Sequence, residues 1–188
     1  MVATWMTTRR IRAVTIALTL ALSSGLLALA GRAFAGPEKV AYPESYRTAF
    51  MRYITIDRPD RNIVRWFYVD PEALDAAQPG EPLPDRTVLI MEDHKARLGA
   101  DAKPVVDAQG RFISTDEVTN VFVMEKQPGW GAAHPPEMRN GDWEYAWFLP
   151  DGARKADAEF DGCFSCHMSR AGRDFTFTFY KYVIDTKG

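Results

Sequence analysis

Cys163-Phe164-Ser165-Cys166-His167 places two thiols three residues apart with an imidazole next in sequence, and these are the only two cysteines of the chain. A thiol pair of this spacing serves a redox disulfide, half of a metal cage, or the covalent attachment of haem. A redox disulfide calls for a thioredoxin-like βαβ setting, which the residues around 163 do not provide. A zinc cage calls for a second spaced Cys or His pair, and none follows. Haem attachment needs only what is present. Two thiols on one helical turn reach the two vinyl groups at one porphyrin edge, and the adjacent His falls under the iron. The expectation is one covalent haem c on Cys163 and Cys166, with its iron held by His167.

The second axial position separates electron carriage from the binding of small molecules. His94, His134 and several methionines are candidates. His134 lies in Trp130-Gly131-Ala132-Ala133-His134-Pro135-Pro136, a loop by its Gly and Pro content. His94 lies late in an apolar stretch beside Glu92. Both read as ordinary polar side chains rather than ligands.

The N-terminal stretch bears on the compartment. Residues 1–12 carry Arg9, Arg10 and Arg12 without an acid, an apolar run fills residues 13–30, and Ala33-Phe34-Ala35 follows. This pattern reads as a signal peptide over residues 1–35, hence a periplasmic protein. An uncleaved anchor is the alternative, since the run approaches a membrane-spanning length, but Ser23, Ser24 and Gly25 interrupt it. Arg9-Arg10 hints at twin-arginine export, and Arg12 dilutes the apolar residues that should follow. Removal of residues 1–35, with four arginines and no acids, changes the formal charge from −2 to −6 and leaves 153 residues. That suffices for one domain, residues 43–188, behind a short tether at 36–42. The negative balance excludes nucleic acid and anionic membrane surfaces as partners.

The elements around the motif are mostly strands. Asn62 to Val69 is rich in β-branched and aromatic residues and stops at Asp70-Pro71-Glu72, where Asp caps and Pro opens a short helix over 71–77. Further strands are expected at Thr87–Lys95, Val121–Gln127, Trp143–Leu149 and Asp174–Tyr182, with a helix at Ser45–Arg52 turning Tyr46, Phe50 and Met51 to the sheet. Gly99–Gly110 reads as a hairpin-like excursion that turns at Asp107-Ala108-Gln109-Gly110. The intervals are too short for helical crossovers, so the expected fold is α+β, mainly an antiparallel β-sheet with short flanking helices. In Phe175-Thr176-Phe177-Thr178-Phe179-Tyr180 aromatic and hydroxyl residues alternate, giving one apolar face that is either a haem wall or plain core.

Taken in order, Tyr42-Pro43-x-x-Tyr46-Arg47, Tyr68-Val69-Asp70-Pro71-Glu72, Thr87-Val88-Leu89-Ile90-Met91-Glu92, Gly141-Asp142-Trp143, the Cys163–His167 motif and Asp174-Phe175-Thr176-Phe177-Thr178 resemble the cytochrome P-460 family, which includes the cytochromes c′-beta. The resemblance covers residues 42–182. It implies a sheet-based fold, a homodimer and a five-coordinate haem c. In the hydroxylamine-oxidising members a lysine is bonded to the porphyrin from the strand that matches Thr87–Glu92, and the aligned residue here is Met91. Methionine has no amine to form that link. Lys95 lies four residues on, about 13 Å along a strand, and reads as a free surface side chain. The family's distal acid aligns with Glu125, which would serve as a general base if buried beside iron, or as a strand-end carboxylate if not.

Three functions follow as expectations. The first is a c′-beta-like protein binding a small gaseous or nitrogen-oxide ligand such as nitric oxide. The second is an oxidoreductase acting on hydroxylamine or nitric oxide through Glu125. The third is an electron carrier with Met91 as the sixth ligand. No residue pattern names the redox partner.

Overall fold

The computed structural model describes residues 36–188; the expected signal peptide, residues 1–35, lies outside the described residues. Five strands, β1 (Met51–Arg58), β2 (Ile63–Val69), β3 (Val88–Ala96), β4 (Ser114–Lys126) and β5 (Trp143–Phe148), form one antiparallel sheet in the order β1-β2-β3-β4-β5. Short helices flank it: α1 (Tyr46–Ala49), α2 (Pro71–Ala76), α3 (Asp161–Met168) and α4 (Phe179–Lys187). The fold is α+β with a mainly antiparallel sheet, as the strand spacing implies.

Side chains alternate between the two faces of a strand, and the register sorts the sheet into rows. On one face Val69, Leu89, Met124 and Tyr145 stand opposite one another across β2 to β5. All four are buried in one cluster with Trp143, Phe164 of α3 and Phe179 and Val183 of α4. On the other face Tyr68, Ile90, Val123 and Ala146 are buried with Val121, Phe148, Tyr46 and Val40. A fully buried side chain of this size contributes about 1.5–3 kcal/mol, so a core on each face fixes the register. A slip of one residue would exchange the faces.

The second core encloses a charge. Glu92 is fully buried and accepts hydrogen bonds from the Tyr46 hydroxyl, Arg47 Nε (2.6 Å), the Tyr68 hydroxyl (2.9 Å) and His94 Nε2 (2.9 Å). His94 Nδ1 meets the Thr115 carbonyl at 3.1 Å, and the ring stacks on Trp66 at 3.9 Å. Burial alone would raise the Glu92 carboxyl, but the hydrogen bonds from His94, Tyr46, Arg47 and Tyr68 outweigh it and hold its pKa down at about 2. Burial, reinforced by the same carboxylate, pushes both tyrosine hydroxyls well above their usual range.

Asp70 does two jobs at the start of α2. One carboxylate oxygen accepts from Ala73 N (2.7 Å) and the other from Val88 N (2.8 Å), so a single side chain caps the helix and ties it to β3. Asp70→Ala is expected to cost about 1–2 kcal/mol, read as a lower urea midpoint at constant slope.

Three segments differ from expectation. The helix expected over Ser45–Arg52 closes after one turn at Ala49, because from Met51 the chain pairs with β2, Met51 facing Val69. Residues 36–42 are not a loose tether: Arg154 donates to the carbonyls of Pro37 and Val40, the latter at 2.7 Å, and Val40 is fully buried. The strand expected over Asp174–Tyr182 does not form. Asp174 and Phe175 adopt left-handed backbone, φ 46° and 58°, and α4 begins at Phe179. The excursion between β3 and β4 does fold back on itself, with Gly110 N bonded to the Asp107 carbonyl at 3.0 Å.

Candidate functional site

Helix α3 carries Cys163, Cys166 and His167 in its eight residues. The Phe164 ring anchors it, buried edge-on against Tyr145 at 4.9 Å and packed on His134 at 4.6 Å. Asn140 secures the backbone there, its Nδ2 donating to the Phe164 carbonyl (3.1 Å) and to the Tyr145 hydroxyl (2.8 Å). Both cysteines are free thiols, Cys166 exposed and Cys163 partly buried. Burial and the neighbouring Cys166 push the Cys163 thiol above its ordinary value.

His167 is held in one orientation. Its Nδ1 lies 2.6 Å from the Phe175 carbonyl, an acceptor only, so Nδ1 carries the proton and Nε2 presents a lone pair. Tyr145 and Phe177 pack against the ring at 4.9 and 5.0 Å. Burial lowers the imidazole pKa, partly offset by the Phe175 bond, and so favours the neutral, ligating form.

The Phe175 carbonyl is aimed by the left-handed pair Asp174-Phe175. Non-glycine residues in that region cost about 1–3 kcal/mol and persist where the surroundings fix them. Asp174 is held by Lys126 Nζ (2.9 Å) and Leu83 N (3.0 Å), so a largely buried ion pair at the end of β4 anchors the residue next to the one whose carbonyl meets His167.

Beside the buried row that meets α3, the same sheet face carries a second row, Ile54, Phe67, Met91, Phe122 and Trp147, in register across all five strands. Every member is partly exposed, whereas Val69, Leu89, Met124 and Tyr145 in the adjacent row are buried. The band is apolar and contiguous across the sheet. The next row is polar: Arg65 Nε binds the buried Asp93 at 2.8 Å, and Trp147 Nε1 donates to Asn120 at 2.8 Å.

Among the residues singled out from sequence, Cys163, Cys166 and His167 share one short helix, and Met91 lies at the centre of the open row on the same sheet face. Glu125 is not brought to them. It pairs with Val88 and Glu144, one residue out of phase with Met124, so its side chain leaves the opposite face, where Gln127 Nε2 donates to it at 2.6 Å. The acid on the face of Met91 is Asp93, two residues along β3, which sequence reasoning passed over. Lys95 is exposed and paired with Glu117 at 2.6 Å. His94 is occupied by Glu92, and His134 by Glu144 at 2.8 Å.

The donor set fits a haem c: two unpaired thiols in the attachment spacing, a neutral imidazole with Nε2 free, and an open apolar band on the adjoining sheet. A family model described as Cytochrome P460 matches residues 43–178. No curated protein matches the chain.

Proposed function

Because this chain belongs to the cytochrome P460 family and is therefore a haem-binding cytochrome, we propose that it is an exported, periplasmic mono-haem c protein that binds a small gaseous ligand such as nitric oxide. Cys163 and Cys166 hold the haem by thioether bonds, and His167 Nε2 is its protein ligand. When bound, the haem would supply an iron able to exchange one electron and take up a diatomic molecule. The observation that carries this reading is the composition of the open row. Four of its five members, Ile54, Phe67, Phe122 and Trp147, offer no group with affinity for iron, and Met91 alone carries a thioether.

The chain's own residues have distinct tasks. The Phe175 carbonyl keeps the Nδ1 proton of His167 and strengthens Nε2 as a donor, while Tyr145 and Phe177 stop the ring from rotating. The Arg65–Asp93 pair borders the apolar row and holds its charges against each other.

A second reading is an electron carrier in which Met91 supplies the sixth ligand, favoured by its central place in the row. Oxidation of hydroxylamine has less support: Met91 cannot form the amine link, Lys95 is engaged by Glu117, and Glu125 lies on the other face. A homodimer is proposed from the family alone.

The test is the optical spectrum of the purified holoprotein, oxidised and reduced, with and without carbon monoxide or nitric oxide. A high-spin spectrum whose Soret band moves promptly on adding gas is the expected result. An unchanged low-spin spectrum that becomes gas-responsive in Met91→Ala would establish the electron carrier instead.

A further inference from the structure

Arg170 stands three residues beyond His167, just past the end of α3. Its guanidinium lies over the Phe177 ring, 4.6 Å from the centroid, and Phe177 meets the His167 ring edge-on at 5.0 Å. One aromatic ring therefore separates a cation from the imidazole. The Arg170 Nε is buried and has no hydrogen-bond partner. Among the described residues no carboxylate pairs with its guanidinium. A buried donor left without an acceptor costs about 1–3 kcal/mol, and more when charged, so such groups are few in folded proteins. The fork of a guanidinium is matched best by a planar carboxylate.

Haem carries two carboxylates, its propionates, on the edge opposite the vinyl groups. The chain runs from the thiols that take the vinyl edge, past the imidazole that takes the iron, to Arg170. The porphyrin has the same order across its width: vinyl, iron, propionate. We propose that Arg170 is the binding group for a haem propionate, with Phe177 as the platform that positions it. The assignment rests on the haem c reading given above. It also gives Phe177, which is 37% exposed despite its size, a task besides bracketing His167. A guanidinium paired there offsets a negative charge near the iron and so favours the reduced state, which has one positive charge fewer.

The experiment compares the midpoint potentials of haem-loaded wild type, Arg170→Gln, Arg170→Leu and Arg170→Lys, with Arg61→Gln in the β1–β2 turn as a distant charge control. Covalent haem content is measured on each by its pyridine complex. In Arg170→Gln and Arg170→Leu the ferrous-to-ferric ratio at a fixed potential is expected to fall about tenfold, equivalent to about 59 mV for one electron. Arg170→Lys keeps the charge and is expected to restore most of that ratio, and Arg61→Gln to leave it unchanged, since exposed charges at a distance are screened. Haem-loaded Arg170→Gln and Arg170→Leu with wild-type potentials would overturn the Arg170 assignment and leave the haem c reading standing. A wild-type chain matured without haem would overturn both.

Discussion

Serine at both Cys163 and Cys166 is expected to abolish covalent haem, so that acidified organic solvent extracts all of the pigment and haem staining after denaturing electrophoresis falls to background. Either single variant keeps one thioether and retains stain. His167→Ala keeps both thiols, so its haem remains attached while the spectrum changes with loss of the axial nitrogen. The contrast follows from the geometry of α3, in which tether and ligand are separate side chains on one short helix anchored by Phe164 and Asn140. A double serine variant that still held haem through denaturation would refute the attachment sites.

Glu92→Leu is expected to destabilise the fold by about 3–5 kcal/mol, because it leaves several buried donors without an acceptor at about 1–3 kcal/mol each. The substitution strands the Tyr46 and Tyr68 hydroxyls, His94 Nε2 and Arg47 Nε together. Marginal stability makes such a loss comparable to the whole reserve of many domains. Denaturant titration reads the loss, and a change under about 1 kcal/mol would show that the cluster is not a keystone. The pH dependence has a definite sign. The folded pKa of Glu92 is depressed to about 2 from an ordinary value near 4.5. Its stabilisation is therefore complete above pH 4.5 and is lost as the pH falls through about 2. The Glu92 share of the slope of stability against pH in this window should be missing in the Leu variant, while the share of carboxylates such as Asp57 remains.

Much of this architecture could be read from residues in line. The strands β2, β3 and β5 announce themselves through runs such as Ile63-Val64-Arg65-Trp66-Phe67, because β-branched and aromatic side chains at a two-residue period leave few alternatives. Asp70-Pro71 marked the start of α2 because a cap and a fixed φ act locally. That Cys163, Cys166 and His167 would share one short helical segment was legible for the same reason, since they lie within five consecutive residues. What failed was non-local. The alternation from Phe175 to Tyr180 has the period of a strand, yet a pair of left-handed residues and a histidine in need of a carbonyl redirect the chain, and Phe179 and Val183 are buried at helical spacing instead. Glu125 looked placed for catalysis, but a one-residue difference in phase decides which face a strand side chain leaves, and only the register with Val88 and Glu144 reveals it. The open row was invisible because each of its five members comes from a different strand.

The spatial order of the strands repeats their order along the chain. Each strand therefore pairs with the one made just before it, and the longest loop to be closed is a hairpin rather than a crossover. Helices α3 and α4 follow β5 in the chain, so they pack on a sheet whose every pairing is complete without them.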